Sequence, residues 1–438
     1  MEELSYGATA WMLMSASLVL LMTPALALFY GGMSRSKSVL NMMMMSFGAM
    51  ALIAVIYVLW GWSTSYGSDI GGIVGNPLDQ FGLSGTLYDA EGGFALDAYG
   101  VPVVVGVAFQ MTFAIITTAL ISGAIADRTK FSTWMVFVAL WVTLAFFPMA
   151  HMVWSPGTGL LSVDGPFSGI ANPIDFAGGT VVHINAGVAG LVLALIIGRR
   201  KGFGSVPMKP HNLPLTMLGA ALLWFGWFGF NAGSAFTADG LAGLAWVNTT
   251  AATGAAVLGW LVTEKIRDGH ATSLGAASGV VAGLVAITPA AGALNPVGSI
   301  VLGLVAGVLC ALAVGLKYRL GYDDSLDVVG VHLVGGLVGT VGIGFLATET
   351  GLFFGGGVSQ LAVQVIIAVI AMLFSAVVTA VIGLALKATM GWRVAEDVEV
   401  AGIDQAEHGE SAYEGLTTGR FATEANVGAA RATTEAKA

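Results

Sequence analysis

Asp175-Phe176-Ala177-Gly178-Gly179-Thr180-Val181-Val182-His183-Ile184-Asn185-Ala186-Gly187-Val188-Ala189-Gly190 buries one histidine in an apolar, glycine-rich run. Its core, His183-x3-Gly187-x2-Gly190, returns as His332-x3-Gly336-x2-Gly339. An aspartate precedes each: Asp175 eight residues before His183, and Asp327 five before His332. Each run is long enough to cross a bilayer as a helix, which needs roughly 20 apolar residues. An ionisable side chain inside such a helix is costly, usually faces the bundle interior, and marks function by default.

Working outward, the chain reads as eleven spans. They are about 9–32, 40–62, 101–124, 131–151, 177–198, 214–236, 245–264, 273–290, 298–316, 327–347 and 359–386, the eighth diluted by Gly and Ala. All 17 Lys and Arg residues lie in alternate gaps between these runs or after the last. Cytoplasmic loops retain positive charge, so the N-terminus is expected outside and the C-terminus in the cytoplasm. The two histidine motifs then run in opposite directions. Spans 1–5 and 6–10 read as inverted halves, followed by a final helix, with the functional site expected where the halves meet.

Composition agrees with an all-α polytopic membrane protein. The chain has 438 residues, 56% hydrophobic and only 10% charged, against about a quarter charged in soluble domains. Its 62 glycines suit helices packed closely inside a membrane. The net charge of −9 gives no sign of nucleic-acid binding, and the lone Cys310 excludes an intramolecular disulfide. Met1-Glu2-Glu3 lacks the basic start of a secretory signal, so the first run is read as a retained helix. Residues 1–388 form the membrane domain, and 389–438 a cytoplasmic tail whose end, from about 418, is disordered by composition.

If His183 and His332 meet, a neutral imidazole pair can share a proton and still offer a donor or an acceptor to a small polar solute. It can also relay protons. The alternative is two separate histidines, each bonded to a neighbouring helix. Asp175 and Asp327 are placed to cap helix N-termini, and a charge near the outer mouth also favours a cation. Trp154 and Ser234 fall near the outer face, with Phe113 in the third span and Phe230 in the sixth, which also carries Ser234. A Trp there is ordinarily part of an aromatic belt, yet aromatic faces also attract a desolvated cation by about 2 kcal/mol or more.

In these residues the chain resembles the Amt/Mep/Rh ammonium transporters. The matching stretches are Ala27–Gly32, Phe109–Phe113, His151-x2-Trp154, Asp175–Asn185, Phe228–Ser234 and Asp323-Asp324-x2-Asp327-x4-His332. The resemblance implies eleven helices, a pseudo-twofold between the halves, and a homotrimer with one pore per subunit. It implies an outer ammonium site of Phe113, Trp154 and Ser234, stacked gates Phe113 and Phe230, and paired pore histidines His183 and His332. Asp175 matches the family's buried carboxylate. Trp154 and Ser234 fit the Amt branch, in its bacterial type. Phe146 departs from it, standing where many members carry Tyr. The tail stretch Gly402, Asp404, His408, Gly409, Glu410 and Tyr413 resembles the region that contacts neighbouring subunits and supports docking of a PII-type signalling protein.

The expected function is uptake of ammonium or ammonia across the cell membrane, with methylammonium an open case. No catalytic residue, metal or cofactor is expected. Whether the proton crosses with the ammonia is undecided by sequence, with net ammonium uptake favoured. The rival reading is an ammonium sensor that signals through its tail and a PII-type protein with little flux.

Overall fold

The computed structural model describes residues 3–413. Among them, ten helices are long and apolar enough to cross a membrane, and one shorter apolar helix accompanies them. In chain order they are α1 Tyr6–Met33, α2 Val39–Tyr66, α3 Val103–Ile125, α4 Phe131–Trp154, α5 Gly179–Ile197 and α6 Leu213–Ala235. There follow α7 Gly240–Asp268, the shorter α8 Ser273–Ile287, α9 Pro296–Leu320, α10 Val329–Leu346 and α11 Ser359–Thr389. Two short helices, α12 Glu396–Ala401 and α13 Asp404–His408, belong to the tail. The disordered end expected from about 418 lies outside the described residues.

Helix ends follow local capping chemistry. Ser5, Asn212, Asp239, Thr272 and Asn295 each accept an amide at the start of α1, α6, α7, α8 and α9. The seventh run reads as 245–264 from hydropathy, but α7 spans Gly240–Asp268 because Asp239 caps it and Glu264, Lys265 and Arg267 extend its polar end. α8 ends at Ile287 rather than 290, and the chain turns through 288–294 before Asn295 starts α9. The acidic stretch after α2 carries one small hairpin, β1 Asp69–Ile70 with β2 Val74–Gly75.

Glycine sets how closely the helices approach. A Cβ on Gly303 or Gly307 of α9 would collide with the carbonyl oxygens of Ala252 and Ala256 on α7. Backbones this near exclude any side chain at those positions. Gly303→Val should therefore destabilise the bundle by roughly 1–3 kcal/mol. The expected readout is a lower thermal midpoint and loss of monodisperse elution in detergent, whereas unchanged elution and midpoint would show that α7 and α9 can part cheaply.

The end bearing the basic loops is held by a buried charge network. Arg128, fully buried, donates to the carbonyl of Asp323 at 2.7 Å and to Ser325 Oγ at 2.6 Å. Arg200 pairs with Asp323 at 2.8 Å and with Asp127 at 3.2 Å. Burial alone would raise the Asp323 carboxyl, but the hydrogen bonds and charges of Arg200 and the charge of Arg128 hold it below the ordinary carboxylate range. Loops after α3, α5 and α9 thus converge on one ion-paired knot. Outside the bundle, Leu373, Val377, Val381 and Leu384 leave one side of α11 apolar and exposed, as a lipid-facing surface requires.

Candidate functional site

The two histidines meet. His183 Nδ1 and His332 Nδ1 lie 3.3 Å apart, and the rings are nearly parallel at 22°. His183 is wholly buried and His332 is 3% exposed. Each motif explains its own glycine: a Cβ on Gly187 would strike Leu333, beside His332, and a Cβ on Gly336 would press on His183 and Ile184. The His-x3-Gly spacing is therefore reciprocal, with each helix's glycine admitting the other's histidine turn. Both histidines sit in π-helical turns, Gly179–Ile184 and Val329–Leu333, and so does Phe230 in Phe228–Ala232. Such widened turns recur at functional sites because they re-aim side chains within a helix.

One shared hydrogen bond between two neutral imidazoles fixes complementary tautomers, since each ring has one N–H and one lone pair. His183 Nε2 is buried with no hydrogen-bond partner. His183 and His332 line a chamber of about 10 Å³ walled by Leu26, Ile116, Val182, Leu223 and other apolar side chains, about the volume that one water-sized molecule's centre needs. Apart from the two histidines, most of the wall of this small space is apolar.

Aromatic rings run without a break from this chamber to the acidic-loop end. His183 stacks on Trp227 at 5.6 Å and lies 6.3 Å from Phe230. Phe230 stacks on Phe113 at 4.2 Å, and Phe113 meets Trp154 edge-on at 5.8 Å. Phe113, Trp154 and Ser234 then open into a vestibule of about 450 Å³. Ser234 Oγ donates to the Phe230 carbonyl at 2.8 Å, so its lone pairs remain available as acceptors. Trp154 Nε1 donates to the Asp175 carbonyl at 3.1 Å, which fixes the indole.

Asp175 caps α5. Its oxygens accept the amides of Gly178 at 2.8 Å, Gly179 at 2.5 Å and Thr180 at 2.9 Å, with Val181 at 3.4 Å and the Thr180 hydroxyl in addition. Asp327 does not play that part for α10. It occupies the position before the helix, but in a left-handed conformation with φ 65°, and its carboxylate turns to Lys317 at 2.6 Å. Asp324 is the cap instead, accepting Val328 N at 3.1 Å and Val329 N at 2.7 Å. Burial pushes the Asp324 carboxyl up to about 6, even with Lys317 opposing the shift.

Two vestibule residues, Phe236 and Tyr99, escaped the sequence reading. Phe236, at φ 58°, stacks on Tyr99 at 5.8 Å and meets Phe109 at 5.6 Å, so the loop after α6 and the loop before α3 share one wall. His151, buried in α4, holds Ser65 O and Asp69 Oδ1, each at 2.9 Å, anchoring the hairpin beside the mouth. Phe146, the departure from the family pattern, is buried against Phe147. Among the described residues no cluster of His, Cys, Asp and Glu is arranged to hold a metal ion.

The tail folds back on the basic loops. Asp404 accepts the amides of Leu40 and Asn41 at 3.0 and 2.8 Å, His408 Nε2 lies 3.0 Å from Asn41 Oδ1, and Tyr413 Oη lies 2.8 Å from His211 Nε2. Gly402 at φ 115° lies against Lys37, Gly409 ends α13 at φ 70°, and Glu410 is exposed. Glu407, not singled out by sequence, accepts the Phe131 amide at 2.8 Å.

Together these elements define a multi-pass helical membrane protein with an aromatic vestibule over a buried histidine pair. The chain belongs to the Ammonium Transporter Family, whose sequence profile matches residues 10–413. It is 54% identical over 430 residues to the ammonium transporter of Mycobacterium tuberculosis, covering 93% of this chain and 90% of that one. The ammonium transporter of Aquifex aeolicus is 48% identical over 421 residues, with 94% of each chain covered. Among solved structures, Candida albicans Mep2 aligns with a TM-score of 0.81 and 31% identity, over 94% of this chain and 91% of that one. A structure named Sensor Amt Protein aligns with a TM-score of 0.83 and 28% identity, over 92% and 98%.

Proposed function

We propose that this protein takes up ammonium across the cytoplasmic membrane, recruiting the cation at Phe113, Trp154 and Ser234. The cation loses its proton near the stacked Phe113 and Phe230, and ammonia passes the chamber by hydrogen-bonding to His183 and His332. The observation that carries this reading is the buried histidine pair, 3.3 Å apart, with both residues lining a small, mostly apolar chamber. Moving a bare cation through that chamber would cost several kcal/mol or more, whereas a neutral solute avoids most of the penalty. The pair also permits a proton relay, which favours net ammonium transport. All eleven helices cross in this reading, in two inverted halves and a final helix, with the N-terminus outside and the tail in the cytoplasm. The assembly is a homotrimer, and a PII-type protein docks at the tail. No catalytic residue or cofactor is assigned.

A second reading is an ammonium sensor with little flux. It draws on the likeness to the Sensor Amt Protein and on the tail's several contacts with the basic loops. Ammonium-evoked current from proteoliposomes on a supported membrane separates the two. Wild type should give a saturable current, and Trp154→Ala should raise the half-saturating concentration about tenfold to thirtyfold, the equivalent of a lost cation–π contact. Unaltered half-saturation would remove Trp154 from the recruitment site. A pH change without current would mean conduction of neutral ammonia, and neither signal would favour the sensor.

A further inference from the structure

The basic-loop end holds a second cavity, far in character from the aromatic vestibule. It measures about 400 Å³ and lies between the α1–α2 turn, the α5–α6 connection and the end of α12. Arg35, Ser36, Lys37, Ser38, Lys209 and His211 line it, and no carboxylate does. The nearby acids are all engaged, one of them with Arg35 of the lining. Asp127 is shared between Arg35 and Arg200, Asp404 holds the Leu40 and Asn41 amides, and the Glu399 carboxylate holds Arg393 and the Lys201 amide. Lys37 and Lys209 are exposed and take part in none of the ion pairs among the described residues.

Ser38 supplies an independent observation. It stands at the N-cap position of α2, where a hydroxyl normally accepts the amide of the second or third helical residue. Here those amides, of Leu40 and Asn41, go to Asp404 of the tail. Ser38 makes no capping bond, is 1% exposed, and its Oγ has no hydrogen-bond partner. A buried hydroxyl left so is costly by about 1–3 kcal/mol, and an acceptor in the cavity would relieve it.

We propose that this cavity binds a phosphate-bearing anion. Its oxygens accept from Ser38 Oγ and face the unpaired charges of Lys37 and Lys209, the donor chemistry that suits phosphate. Because α12 forms one wall, the bound anion holds the tail against the loops. Its source is either a soluble phosphate compound or the headgroup of an anionic lipid.

The test uses the full-length protein in two arms. In detergent, binding of radiolabelled inorganic phosphate and pyrophosphate is measured. In nanodiscs of phosphatidylcholine, with or without phosphatidylglycerol, limited proteolysis follows cleavage of the tail. Saturable binding in detergent, weakened about tenfold by Lys209→Glu and severalfold by Ser38→Ala, supports a soluble ligand. Slower tail cleavage only with phosphatidylglycerol, lost in Lys209→Glu, supports a headgroup. Wild type indistinguishable from Lys209→Glu in both arms overturns the proposal. So does an equal loss in Arg319→Glu, which changes the charge of an exposed basic-loop residue outside the cavity.

Discussion

The His183→Leu/His332→Leu variant is expected to lose ammonium-evoked current by roughly one to two orders of magnitude while remaining folded. The chamber beside His183 is walled by Leu26, Ile116, Leu223 and Val281, none of which can hydrogen-bond a solute. A polar solute entering it without a partner loses about 1–3 kcal/mol of hydrogen bonding, and each 1.4 kcal/mol is tenfold in rate. Leucine approximates imidazole in size, so the bundle should keep its thermal midpoint and elution profile. His183→Leu alone should show most of the loss, because it also strands the Nδ1 of His332; the two single effects should not add. Full current in the double variant would take the pair out of the transport path and leave it a packing device.

Much of this site was legible in the chain because it is built on short-range spacing. The His-x3-Gly repeat announced two equivalent helices, and its reciprocal packing is the physical reason for the repeat: a Cβ at Gly187 or Gly336 would push the other histidine's turn away. Trp227 was legible in principle, three residues before Phe230 and so on the same helical face. Asp324 was too. It lies eight residues before His332, the interval that separates Asp175 from His183. Other parts could not be read from the chain. Phe236 and Tyr99 come together from loops remote in sequence, and the backbone reversal at Phe236 follows no local turn signal. The π-helical turns that aim His183, His332 and Phe230 are likewise set by packing between helices, which periodicity does not report. Helix ends moved wherever a polar residue such as Asp239 could cap beyond the apolar run.

Asp175→Ala is expected to reduce both stability and transport, because one carboxylate organises α5 and the vestibule together. The substitution strips acceptors from four amides and the Thr180 hydroxyl at the start of the helix that carries His183. Losing a charged cap with this many donors should cost about 2–4 kcal/mol. The freed segment should also loosen the carbonyl that fixes the Trp154 indole, and ammonium current should fall at least about tenfold. Asp175→Asn, compared with Asp324→Asn, separates capping from any attraction of the charge for a cation. Both amide variants weaken the cap of a helix that carries one of the paired histidines, but only Asp175 lines the vestibule. A higher half-saturating concentration in Asp175→Asn alone, at similar loss of thermal midpoint, would mean that the charge also draws in the cation. Equal midpoints with unchanged half-saturation in both would mean that capping is its whole contribution, with recruitment left to Trp154, Phe113 and Ser234.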